Sequence, residues 1–126
     1  MIHHVSFGTR DAVRAKAFYD PVLAVVGWRC IKSGDTAVDY GISEIMFSLE
    51  TPSDGGEATV GNGAHVAFVA RDRATVDAFY RTALEQGGTD AGAPGVRARY
   101  DPNYYGAFVR DPDGNKLCAV YRVPKT

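Results

Sequence analysis

The stretch HVSFGTRDAVRAKAFYDPVLAVVGW, residues 4–28, occurs a second time as HVAFVARDRATVDAFYRTALEQGGT, residues 65–89. Aligned at a constant offset of 61 without a gap, the two copies are identical at 10 of 25 positions. The offset is close to half of the 126 residues. An internal repeat of this kind indicates the architecture before any single motif does. The chain is therefore predicted to consist of two copies of one structural unit.

Each copy begins with a strand and continues as a helix. Val5 and Phe7 alternate with small or polar residues, which is typical of a strand whose two faces differ. Asp11 and Asp72 stand where a helix N-cap is expected. Apolar side chains then recur at helical spacing in both copies: Ala15, Phe18, Tyr19, Val22 and Leu23, and Val76, Phe79, Tyr80, Ala83 and Leu84. Pro21 is expected to kink or shorten the first helix near Tyr19.

Short strand-like runs follow each helix. They are predicted at residues 28–32, 36–40 and 44–50 in the first half, and at 96–100, 104–110 and 116–122 in the second. The dense turn sequence of residues 111–115 separates the last two runs. One α+β domain, residues 1–126, is thus expected, with βαβββ modules at about residues 1–50 and 64–123. Residues 51–63, rich in glycine, form the linker and could act as a lid.

Composition excludes several classes of protein. Fourteen basic and 15 acidic residues give a net charge of −1, which offers no general attraction to nucleic acid or an anionic membrane. No apolar run approaches the ~20 residues that span a bilayer, and the first residues show no signal peptide. Cys30 and Cys118 are too few for a disulfide framework. A cytoplasmic protein is the expectation.

The two βαβββ units carry motifs that resemble those of the vicinal oxygen chelate superfamily, which includes glyoxalases, bleomycin-resistance proteins, fosfomycin-resistance proteins and extradiol dioxygenases. These motifs are the His-Val-x-Phe starts, the Ala-Phe-Tyr helices and the closing Asp-Pro-Asp-Gly-Asn-Lys-Leu of residues 111–117. The resemblance covers essentially the whole chain. It implies a cup-like mixed sheet with the helices outside and a site within, and it implies a homodimer.

The resemblance also implies a divalent metal site, with ligands on the first and last strands of each module. His4 and His65 fit the two first-strand positions, whereas Cys118 stands where a carboxylate is expected. Three outcomes are open: a His4/His65/Cys118 site, which suits zinc, completion of the set by Glu44 or Glu50, or no metal. Zinc, nickel, iron and manganese are the candidate ions.

Aromatic and basic residues of the second half could bind an organic ligand at the mouth of the cup. Arginine offers a fork for carboxylate or phosphate, and tyrosine offers apolar area with a polar tip. The candidate ligand-binding residues are Trp28, Arg97, Arg99, Tyr104 and Tyr105. Glu44 and Tyr105 are the candidates for a catalytic base, although no base is identified.

Two functions are therefore carried forward from the sequence. One is a small-molecule-binding protein that works as a metal-dependent lyase, isomerase or oxygenase. The other is a metal-free, non-catalytic protein that sequesters its ligand. The missing carboxylates favour the second function, and the paired histidines favour the first.

Overall fold

The computed structural model describes residues 1–123. Each half has the same order of elements. In module 1 they are β1 (Val5–Gly8), α1 (Ala12–Val25), β2 (Arg29–Ser33), β3 (Ala37–Gly41) and β4 (Ile45–Glu50). In module 2 they are β5 (His65–Val69), α2 (Arg73–Glu85), β6 (Thr89–Val96), β7 (Tyr104–Arg110) and β8 (Lys116–Arg122).

Each module folds its strands into one mixed, four-stranded sheet. The strand orders are β1-β4-β3-β2 and β5-β8-β7-β6, and the first strand of each module pairs with the last in parallel. Asp11 and Asp72 cap their helices by accepting the backbone N–H groups of Arg14 and Thr75. The predicted α+β fold of two βαβββ modules is confirmed.

The two modules share one hydrophobic core. Val5 and Phe7 pack on its edge, as their strand parity predicts, and the aromatic ring of Phe68 contacts those of Phe47 and Trp28 across the module boundary. The two helices contact each other within the same core. Each sheet therefore packs one face against the shared core, and we call the face that points away from the core its open face.

The turn between β7 and β8 locks module 2 onto the start of α1. Asp113 accepts hydrogen bonds from the Thr9 hydroxyl at 2.5 Å and the Arg10 amide at 3.0 Å, and from the Arg14 guanidinium at 2.8 Å. The Asp111 carboxylate accepts a hydrogen bond from the Tyr19 hydroxyl at 2.5 Å. This turn sequence therefore has an architectural role at the module boundary.

Two local predictions were wrong, and of the two effects expected at Pro21 the shortening of α1 is not observed. The first strand after α2 lies at Thr89–Val96 and not at residues 96–100, of which residues 97–100 follow the strand and lead into a turn. It is a bulged edge strand that contains glycines and Pro94. Because these residues are typical of loops, the sequence pattern did not predict a strand there. Helix α1 continues through Pro21 to Val25, because Val22 and Leu23 are fully buried beyond it. Leu84 is exposed rather than in the core.

No helix within residues 1–123 has the length and apolar character needed to cross a membrane.

Candidate functional site

The open face of module 2 is built by alternate residues of three neighbouring strands. Its side chains are the odd-numbered residues 65–69 of β5 and the even-numbered residues 104–110 of β7 and 116–122 of β8. The intervening residues, among them Phe68, Val109 and Leu117, face the core. Period-two alternation thus separates the face that packs on the core from the face that points away from it.

Register places basic groups in one cross-strand row on this face. His65 pairs with Lys116, and Lys116 pairs with Arg110. We call these three residues the basic row. Beside it runs a row of Ala67, Cys118 and Phe108, in the same register. Two small side chains, exposed Ala67 and buried Cys118, therefore lie next to three nitrogen-bearing ones and form the floor of this face.

The Phe108 ring is the centre of this arrangement. Its centroid lies 4.8 Å from Lys116 Nζ, 5.6 Å from Arg97 Cζ and 5.7 Å from the His65 ring centroid. Gly92 permits this packing, because a Cβ there would lie 3.1 Å from the Arg97 guanidinium and 3.2 Å from the Phe108 ring. Cations near an aromatic ring are stabilised by its quadrupole. The ring thus holds two positive charges over the floor.

Cys118 and Tyr104 close the floor on the side away from the basic row. The Tyr104 hydroxyl and Cys118 Sγ share a hydrogen bond at 3.5 Å, and the thiol is fully buried. Burial raises the pKa of the Cys118 thiol above its ordinary value, and it outweighs the opposing hydrogen bond from Tyr104 and the charge of Arg97. Burial, with the same hydrogen bond, also raises the pKa of Tyr104. At neutral pH both groups are therefore protonated and uncharged.

The proposed metal ligands are not brought together as a metal centre. Within residues 1–123, no three His, Cys, Asp or Glu side chains form a group that could hold an ion. His4 is exposed and its Nδ1 lies 2.9 Å from that of His3, whereas His65 packs on Phe108. Cys118 is a buried thiol two residues along the strand from the register partner of His65. The His, Cys, Asp and Glu side chains of residues 1–123 therefore do not fit a metal centre within one chain.

The other predicted site residues do not lie together. Tyr104 and Arg97 lie at the open face of module 2, but Tyr105 points to the helix side, where its hydroxyl donates to Asp77 at 2.7 Å. Arg99 is exposed in the turn after β6, against the Tyr100 ring. Glu44 is exposed in the turn before β4.

Trp28 belongs to a separate apolar groove at the module boundary. It is half-buried and packs edge-on against Phe68, with ring centroids 5.0 Å apart. The groove has a volume of about 550 Å³, and exposed Ile42 and Met46 lie on its rim. Trp28 and Tyr104 therefore do not line one common cup.

Sequence reasoning missed Phe108, Lys116 and Arg110. Each has the strand parity of Tyr104 or Cys118, which were singled out, so alternation along β7 and β8 could have found them. Their alignment with His65 required the register between strands that lie far apart in the sequence.

The open face of module 1 has the opposite character. Ser6 donates to Glu50 at 2.7 Å, and Ser48 donates to Asp39 at 2.6 Å. These carboxylates are already hydrogen-bonded by neighbouring hydroxyls. The two copies of the repeat have therefore diverged in charge on the faces that the core leaves free.

Comparison with known proteins identifies relatives across nearly the whole chain. The model of the Glyoxalase/Bleomycin resistance protein/Dioxygenase superfamily matches residues 1–119. A solved glyoxalase/bleomycin resistance protein from Albidiferax ferrireducens T118 is 35% identical, with a TM-score of 0.88 over 98% of this chain and 99% of that chain. No curated protein matches the chain.

Two more distant structures are similar in fold. A glyoxalase-related enzyme from Fulvimarina pelagi is 17% identical, with a TM-score of 0.77 over 97% of this chain and 88% of that chain. A glyoxalase/bleomycin resistance protein/dioxygenase family enzyme from Burkholderia phytofirmans PsJN is 20% identical, with a TM-score of 0.76 over 96% and 98%.

Proposed function

Because the chain belongs to the glyoxalase/bleomycin resistance protein/dioxygenase superfamily, we propose that it binds a small organic molecule on the open face of module 2. One observation carries the proposal: a floor of small residues lies between an aromatic wall and a rim of hydrogen-bond donors. Exposed Ala67 forms the floor beside the buried Cys118 thiol, and half-buried Tyr104 with the edge of the nearly buried Phe108 ring forms the wall.

Space beside this floor suits a ligand of modest size. A cavity of about 590 Å³ is lined by the basic row and by residues 60–64 at the end of the linker. Small-molecule sites commonly have volumes of ~300–1,000 Å³, with an apolar lining and a few placed polar groups. The linker therefore contributes one wall of the proposed site.

Metal-free sequestration is the function that the donor set supports best. Lys116 and Arg97 place positive charge over Phe108, which disfavours a divalent cation at the same position. The rival function, a metal-dependent lyase, isomerase or oxygenase, needs a ligand set that residues 1–123 of one chain do not assemble.

A thermal-shift screen of a small-molecule library, followed by affinity measurements, tests this function. Replacing Tyr104 by alanine should weaken binding of the compounds found, since its ring lies at the open face. Replacing Tyr105 by alanine is the matched control, because its ring packs towards Asp77 and Arg73 on helix α2. Equal affinities of both variants and the unaltered protein would refute the proposed site.

A further inference from the structure

The basic row presents like charges side by side without acidic partners. Lys116 and Arg110 are direct register partners, and like charges directly opposite each other destabilise a sheet. No acidic side chain within residues 1–123 forms an ion pair with Lys116, Arg110 or Arg97. The arrangement costs stability and has no compensating carboxylate in the part of the chain that the structure describes.

Other arginines of the protein do have such partners. Arg122 pairs with Asp101 at 2.6 Å, and Arg10 and Arg14 both pair with Asp113. Arg29, Lys32, Arg73 and Arg99 also form no ion pair within residues 1–123, so the lack of a carboxylate partner is not particular to the basic row. The row differs from them in its alignment, because register places its three nitrogen-bearing side chains next to one another. With a net charge of −1, any positive field at this row is local.

The basic row also lines a cavity rather than a flat surface. Arg110, Lys116 and His65 stand on one side of the cavity of about 590 Å³, and Gly61 and Gly63 of the linker stand on the other. The cavity lining contains no acidic residue. Arg110 uses one guanidinium nitrogen on the Gly114 carbonyl at 2.8 Å, and its remaining donors are available to a ligand.

Resting on the proposed function, we infer that the ligand is an anion whose carboxylate or phosphate group is held by the basic row. Lys116 supplies charge, Arg110 supplies a directional fork, and a His65 ring nitrogen adds a hydrogen-bond donor. Val60 and Ala64, which line the same cavity, receive the apolar part of the molecule. Basic side chains of the protein therefore occupy the face on which the family resemblance implies a metal ion.

Titration of the full chain with benzoate, its neutral analogue benzamide and inorganic phosphate tests the inference. Benzoate and phosphate should bind, and benzamide should bind at least about tenfold more weakly than benzoate, since a hydrogen bond to a charged group contributes that much. Adding sodium chloride should weaken the binding of benzoate and not that of benzamide.

Lys116→Gln and Arg110→Gln should each weaken benzoate binding about tenfold and reduce the preference over benzamide. Lys32→Gln, at an exposed lysine of module 1, is the matched control and should leave both unchanged. Circular dichroism checks that the variants are folded, and the second variant keeps the test valid if one misfolds.

Two results would overturn the inference. Equal binding of benzoate and benzamide with no effect of either glutamine variant shows that the ligand is neutral, and the proposed function then survives on the Tyr104→Ala result. Equal losses of benzoate affinity in Lys116→Gln and Lys32→Gln would show that benzoate responds to the general surface charge and not to the basic row. If benzoate and phosphate both fail to bind, the anion inference fails, whereas the proposed function fails only if Tyr104→Ala leaves the affinity of library compounds unchanged.

Discussion

Replacing Asp113 by asparagine should uncouple the two modules at their boundary and lower the free energy of unfolding. The Asp113 side chain is 4% exposed and accepts four hydrogen bonds from side chains and backbone of module 1, given by Thr9, Arg10 and Arg14. Asparagine keeps the shape but removes the charge and turns one acceptor into a donor. Whichever way the amide is turned, an NH2 group then replaces one of the two carboxylate oxygens that accept these bonds.

The magnitude follows from the exposure of each partner. The Arg10 and Arg14 side chains are 47% and 46% exposed, so water replaces most of what they lose, and such pairs contribute ~0–1 kcal/mol each. The Thr9 hydroxyl and the Arg10 amide lose charge-assisted bonds worth roughly 1.5–3 kcal/mol each, of which the amide oxygen of asparagine retains part. A total of about 3 kcal/mol is expected, or roughly 10 °C in Tm.

The loss should depend on pH with a defined sign. Burial by itself would raise the pKa of Asp113, but hydrogen bonds from Thr9 and Arg10 and the charge of Arg14 outweigh it and lower the pKa below the ordinary 3.8. A lowered pKa stabilises the fold above the unfolded-state pKa, and this stabilisation is lost as pH falls through the folded-state pKa. The difference between the two proteins should therefore be full at neutral pH and shrink below about pH 4.

Urea denaturation followed by the fluorescence of Trp28, the sole tryptophan, measures the effect. Asp35→Asn, in the exposed β2–β3 turn, is the matched control. The reasoning is refuted if Asp113→Asn lies within about 0.5 kcal/mol of that control, the range of ordinary surface substitutions. It is also refuted if the difference does not change between neutral pH and pH 3.

Four further outcomes are expected. Phe68→Ala should cost about 3–5 kcal/mol in denaturant unfolding, because it removes a core ring between modules, and its half-buried repeat equivalent Phe7→Ala should cost less; equal losses would contradict the shared core. A thiol reagent should label Cys30 before Cys118, which is fully buried, and mass spectrometry of the native protein showing Cys118 labelled first would oppose this. Protein incubated with zinc, nickel, iron or manganese and then desalted should retain far less than stoichiometric metal, and stoichiometric metal that disappears in His65→Ala would favour the metal-dependent enzyme. Light scattering should give the mass of a homodimer, which Ile42→Lys at the exposed apolar groove should weaken; a single-chain mass without the substitution would oppose this.

The sequence alone determined the architecture of the two modules. The repeat, at an offset of 61 residues, showed that there are two modules. The Asp11 and Asp72 caps and the apolar helical stripes, which are signals over a few neighbouring residues, showed where each helix lies. Strands β7 and β8 were predicted with their observed bounds, because the turn at residues 111–115 separates two strongly alternating runs. Strand β6 was missed, since its glycines and Pro94 look like a loop and only pairing with β7 makes it a strand.

Only the tertiary structure decided which residues act together. Alternation shows that Tyr104 and Tyr105 face opposite ways, but it does not say which of the two faces the packed core will cover. Lys116 and Arg110 lie on consecutive strands, but His65 joins their row only through the pairing of β5 with β8, which are far apart in the sequence. Helices and turns are determined mainly by neighbouring residues, so the sequence predicts them. Strand register and the packing of the modules depend on how the whole core is buried, so they require the tertiary structure.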